Sequence, residues 1–169
     1  MPPAVLRAVP SLALAPVPLL FLQPLLSRFA RHAAQAHPEL FERLGPHVRS
    51  RYLIDPQNLP FVLLLQPHPQ RPQLIAYRRG EKVRHDAMIS GSLLTLLDMI
   101  DAGQDGDALF FNRGISISGN TDAIVTLRNA LDDMDGSIVD TLVNTLHPIS
   151  AIVKPMLAMY RKTRRTNHG

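Results

Sequence analysis

The chain has 169 residues, 46% of them apolar, with 18 basic and 14 acidic side chains and neither cysteine nor tryptophan. That length suits one domain with an appendage, able to bury roughly 70% of its unfolded surface, and the apolar content excludes a globally disordered chain. The lack of cysteine excludes disulfides, thiolate catalysis and cysteine-held zinc or iron–sulfur centres, and fits a reducing compartment.

The net charge of +4 has one source, because Arg161, Lys162, Arg164 and Arg165 supply all of it. Without these four, basic and acidic residues balance at 14 each. A neutral body argues against nucleic acid as a partner, since that needs basic residues spread over a face.

Residues 1–24 form an apolar, proline-rich arm. The run "AVPSLALAPVPLLFLQP" (8–24) follows a lone Arg7 and has the outline of a signal peptide. Prolines at 10, 16, 18 and 24 break a continuous helix, however, and a bilayer span needs about 20 apolar helical residues. An arm that packs on the domain, a partner or a membrane surface is the expectation.

From Phe21 to Leu44 apolar residues recur at helical spacing, through Leu22, Leu25, Phe29, Ala33, Ala36, Leu40 and Leu44. Pro38 divides the run into two helices, as first residue of the second, and Gly45 stops it. "HVRSRYLID" (47–55) then alternates, with Val48, Tyr52 and Ile54 on one side, which predicts a half-buried strand. "FVLLLQ" (61–66) is apolar on both faces and reads as a central strand. "LIAYRR" (74–79) returns after a turn, and "KVRHDAMIS" (82–90) alternates again with Val83, His85, Ala87 and Ile89 inward. These last three segments, joined by short turns, predict an antiparallel meander.

Ser90 is placed to cap a helix whose face is Leu93, Leu96, Leu97 and Ile100. After Gly103 and Gly106 comes "LFFNRGISISGN" (109–120), the most patterned stretch of the chain: a connection or short strand at 109–111, then a strand at 114–118 with Ile115 and Ile117 inward. Asn120 or Thr121 caps a helix with Ile124, Leu127, Leu131 and Met134 in one stripe. Asp135-Gly136 closes a domain spanning 25–136. Residues 137–169 are a separate amphipathic extension, in which Ile138, Leu142, Leu146, Ile149, Val153, Met156 and Tyr160 keep helical spacing across kinks at Pro148 and Pro155.

Catalytic chemistry finds little support. His85 and Asp86 are neighbours, and on a strand neighbours point to opposite faces. The other histidines show no two-ligand helical spacing, so no metal is expected. The acidic cluster at Asp98, Asp101, Asp105 and Asp107 lacks calcium-loop spacing, and Gly114 and Gly119 are too isolated for a phosphate loop. The basic tail has three readings: a solvated charge run, a nucleic-acid contact, or a docking element for anionic lipid. Its position behind an apolar, helix-spaced segment is how membrane-surface elements are built, which makes Met156, Tyr160, Arg161, Lys162, Arg164 and Arg165 the candidate membrane contacts.

"MISGSLLTLLDMIDAGQDGDALFFNRGISISGNTDAIVTLRNALDDMD" (88–135) resembles the core of the sterol-carrier-protein type of lipid-binding domain. The matching pieces are Ile89-Ser90-Gly91-Ser92, the leucine-rich helix after them, Leu109-Phe110-Phe111, the Ile115–Gly119 strand and the capped helix that follows; the likeness extends over about 25–135. Asn120 stands where the family pattern has an aspartate, and Gly114 where it has a bulkier residue. The resemblance implies an α+β fold: about five strands, mainly antiparallel, covered by helices and enclosing an apolar tunnel. It further implies a non-catalytic lipid binder without cofactor, and the phenylalanine pair and C-terminal segment are most similar to bacterial accessory factors of oxygen-independent ubiquinone biosynthesis.

Leu93, Leu97, Phe110, Phe111, Ile117, Ile124 and Leu127 share an apolar face without paired polar groups, and are the expected lining of the lipid site. An empty pocket of about 300 Å³ would cost on the order of 7 kcal/mol, so it should hold lipid, collapse in part or be plugged, with 138–160 as candidate lid. The expected partners are isoprenoid quinone precursors or phospholipid, an anionic membrane surface, other ubiquinone-biosynthesis proteins and a second copy in a homodimer. The expected location is cytoplasmic, peripheral to the inner membrane. Two alternatives are an interaction scaffold with a packed core, and a small lipid-modifying enzyme for which His85 is the one group to check.

Overall fold

The structure is a computed structural model that describes residues 19–101 and 114–132. Helix α1 (Leu19–Ala36) buries Leu22, Leu26, Ala30 and Ala33 along one stripe. It includes Pro24, which forfeits only its own backbone hydrogen bond one turn back and sits on the exposed side. Pro38 separates α1 from α2 (Glu39–Leu44), and Gly45 ends α2 at φ 50° with its N–H on the Glu42 carbonyl.

A five-stranded sheet follows, built from β1 (Tyr52–Pro56), β2 (Phe61–Gln66), β3 (Gln73–Arg78), β4 (Ala87–Gly91) and β5 (Ser116–Gly119) in the order β3-β2-β1-β4-β5. β1–β2, β2–β3 and β4–β5 pair antiparallel; β4 pairs parallel with β1, Tyr52 opposite Ala87 and Ile54 opposite Ile89. Helices α3 (Leu93–Asp101) and α4 (Thr121–Asp132) complete the α+β domain.

Three expectations need correction. Residues Gly45–Arg49 form a 3-10 turn rather than the start of a strand, with Pro46 in its first turn where a missing N–H does no harm. The meander is β1–β2–β3; the 82–90 segment does not pair with β3, and only its last residues enter the sheet, beside β1. Ser90 lies inside β4, and the cap of α3 is Ser92, whose Oγ accepts the Thr95 N–H at 3.1 Å.

Cross-strand register puts Leu74 and Ala76, Leu63 and Leu65, Tyr52 and Ile54, Ala87 and Ile89, and Ile117 on one face. The helices pack on this face: α1 over β3 and β2, and α2, α3 and α4 over the β1–β4–β5 side. The 79–86 connection joins β3 to β4, two strands that run the same way, and so returns the chain to the end at which β3 began; the alternate residues of the strands form the second face of the sheet. Leu53, Val62 and Leu64 are buried on that second face.

The open edge of β3 is capped by a side chain. The Gln23 amide donates to the Leu74 carbonyl at 3.1 Å and accepts from the Ala76 N–H at 3.0 Å, standing in for a sixth strand. Replacing Gln23 by Leu should cost about 1–3 kcal/mol in urea unfolding, because two edge groups lose their partner. At the other edge Gly119 has φ 75°, and a Cβ there would collide with the Asp86 carbonyl. Gly119→Ala should lower stability by about 1–3 kcal/mol, read from the thermal midpoint; an unchanged midpoint would show that β5 can shift away from β4.

Candidate functional site

The space between sheet and helices holds two apolar clusters. The first joins α2, β1, β4, α3 and α4 through residues such as Leu44, Tyr52, Ile89, Leu96 and Ile124. The second joins α1 to the β2–β3 side through Leu22, Leu26, Ala30, Phe61 and Leu74. Leu65 of β2 packs against both, so the clusters meet at the middle of the sheet.

The expected lining residues divide between them. Ile124 and Leu127 are 2% and 7% exposed and belong to the first cluster, with half-buried Ile117 against it. Leu93 packs on the second cluster. Leu97 is half-buried on α3. Phe110 and Phe111 lie outside the described residues, as do Met134 and the candidate membrane contacts Met156, Tyr160, Arg161, Lys162, Arg164 and Arg165. Leu65 and Met99 belong to the interior and were not singled out by sequence. An all-apolar strand hides which residues face which layer, and on α3 the buried stripe runs through Leu96 and Met99.

Little in this interior can do chemistry. Tyr52 is fully buried, and its hydroxyl donates to the His47 carbonyl at 3.1 Å. Burial pushes its pKa up to about 12, which keeps the phenol neutral and committed to that carbonyl. Among the described residues the buried polar or charged side chains are Ser90, on the opposite face of the sheet, and Arg128, in α4 with Asp132 at 4.0 Å. No group of His, Asp or Glu among the described residues could hold a metal ion.

His85 is placed differently from the sequence expectation. It is exposed, in the crossover just before β4, with Nδ1 2.8 Å from the Val83 carbonyl. The parallel ladder begins only after Asp86, whose carboxylate accepts the Arg51 backbone N–H at 2.8 Å and the Arg51 guanidinium at 3.3 Å. The Arg51 side chain, then its N–H, holds that carboxyl below its usual range. Asp86 therefore anchors the strand, while His85 is exposed and bonds to its own connection.

The family model described as the SCP-2 sterol transfer family matches residues 26–132. A search of curated proteins finds no match. Among solved structures the chain is similar to a UbiJ-SCP2 ubiquinone synthesis protein, at 15% identity and a TM-score of 0.47, covering 78% of this chain and 93% of that one. It is also similar to sterol carrier protein 2 from Yarrowia lipolytica in its apo form, at 10% identity and a TM-score of 0.45, covering 68% and 91%. No described helix is long and apolar enough to cross a membrane.

The buried phenol yields a pH signature. The unfolded tyrosine ionises at its ordinary value of 10.0, whereas folded Tyr52 stays neutral to about 12. Its contribution is thus complete below pH 10 and is lost as pH rises from 10 through 12. Tyr52→Phe should cost about 1 kcal/mol at pH 7 and flatten that alkaline loss, measured as urea unfolding from pH 7 to 12. Equal alkaline slopes for both proteins would place the titration elsewhere.

Proposed function

As a member of the SCP-2 sterol transfer family, to which residues 26–132 assign it, this chain carries a sterol-carrier type lipid-binding domain, and we propose that it is a non-catalytic accessory factor that holds greasy substrates for membrane-bound enzymes. The observation that carries this reading is the interior itself: two apolar clusters meeting across one sheet face, with the buried Tyr52 hydroxyl tied to a backbone carbonyl. Such a layer suits an acyl or prenyl chain. Leu93, Leu97 and Ile117, which keep some exposure, would meet the ligand from α3 and β5, with Phe110 and Phe111 alongside. Ile124 and Leu127 would form the floor.

The phenylalanine pair Phe110-Phe111 with the arginine-bearing turn after it, and the added C-terminal segment, resemble the ubiquinone-biosynthesis accessory factor UbiT. This supports prenylated quinone precursors, or phospholipid, as cargo and the oxygen-independent pathway as setting. In this reading the protein works in the cytoplasm at the inner membrane, with the 137–169 extension and its basic tail as the contact. The nearly complete burial of Ile124 and Leu127 favours a second reading, a protein-binding scaffold with a packed core.

Native mass spectrometry with lipid extraction separates the two. A carrier retains isoprenoid or phospholipid, or takes it up on incubation; a protein that stays dry under both conditions is the scaffold. For the membrane contact, Arg161→Gln, Lys162→Gln, Arg164→Gln and Arg165→Gln together should weaken binding to anionic vesicles by roughly 100- to 1000-fold at low salt. Unchanged sedimentation would remove the tail from the account.

A further inference from the structure

One end of the sheet gathers the starts of β1, β3 and β4. Three separate segments meet there: the Gly45–Arg49 turn before β1, the 67–72 connection between β2 and β3, and the last residues of the crossover before β4. Each brings an exposed arginine, Arg49, Arg71 and Arg84. From β4 to β3 is three strand spacings, about 14 Å, so the three lie along one rim of the domain.

Among the described residues the acidic groups at this rim are engaged or offset. Asp86 is held by the backbone and guanidinium of Arg51, and Asp122 by His47 at 2.8 Å. On α2, which runs into this end, Glu42 and Arg43 offset each other in charge. By contrast no hydrogen bond or ion pair engages the side chains of Arg49, Arg71 or Arg84 among the described residues. His68 and His85 stand beside them, each with Nδ1 satisfied locally by the backbone. The body of the chain is neutral overall, so this positive rim is a local arrangement made by the strand order.

We propose that this sheet end, through Arg49, Arg71 and Arg84, is a docking surface for an anionic bilayer, separate from the basic tail. The inference rests on the membrane-peripheral reading and adds to it a contact within the folded domain. Three uncommitted guanidiniums spread along one rim, with the outer two strands about 14 Å apart, suit a planar array of phosphate headgroups. Two basic contacts, one on the domain and one on the extension, would fix how the carrier faces the membrane.

The test uses the full-length protein and sedimentation with vesicles of phosphatidylglycerol and phosphatidylcholine, compared with phosphatidylcholine alone. Arg49→Gln, Arg71→Gln and Arg84→Gln together should weaken binding to the anionic vesicles roughly 100-fold at low salt, with the thermal midpoint and lipid uptake unchanged. A control with the same loss of charge, Arg28→Gln, Arg78→Gln and Lys82→Gln, should change it by less than about tenfold. Equal losses in both triples would mean that only net charge matters and would overturn the docking surface. Wild-type affinity in the rim triple would overturn it too. Wild-type protein that ignores anionic vesicles would sink the membrane reading itself, a distinguishable result.

Discussion

The seating of β4 beside β1 is the constraint on which the rest of the structure depends. Its register is fixed where the Arg51 carbonyl accepts the N–H groups of Asp86 and Ala87 while the Asp86 carboxylate takes the Arg51 N–H and guanidinium. With Tyr52 opposite Ala87, the inward residues of β1 and β4 fall on the same face. β5 then extends that face by placing Ile117 against Ile89. A slip by one residue would turn Ala87 and Ile89 away from the helices and expose half of the first cluster.

From that seating the two layers acquire different roles. The helices take one face and enclose two apolar clusters, with Arg128 of α4 as a buried charged side chain. The crossover links the far end of β3 to the start of β4, and its ends deliver charged side chains to the two ends of the sheet. At one end Arg79 ties Asp55 to the carbonyls of Pro56 and Leu59, a purely structural clasp. At the opposite end the arginines are left toward solvent. A greasy interior and a positive rim thus sit on one small domain, which suits the proposed role of carrier.

Much of this was legible in the sequence where a local rule has a single solution. Pro38 and Gly45 punctuate helices because one lacks a donor and the other tolerates positive φ, and Asn120 caps α4 through its side-chain carbonyl on the Ala123 N–H. "FVLLLQ" is a central strand because both of its faces are covered. What the sequence could not display was partner choice. Alternation in 82–90 says that a strand can form but not which edge it joins, and the first half of that segment is drawn across the sheet as a connection. His85 was misplaced for this reason, since its alternation with Ala87 and Ile89 continues a pattern that the ladder does not. The division of Leu93 from Ile124 was likewise invisible, because both lie on apolar helix stripes and only the sheet order sends them to different clusters.

The layer between helices and sheet is proposed to accept an apolar chain. Methyl-resolved NMR of the full-length protein, titrated with a short prenylated phenol, tests it most directly. The account predicts that Leu93, Leu97 and Ile117 methyl signals shift in a saturable way while those of Val62 and Leu64, across the sheet, stay fixed. No shifts at all, or shifts centred on Val62 and Leu64, would contradict it.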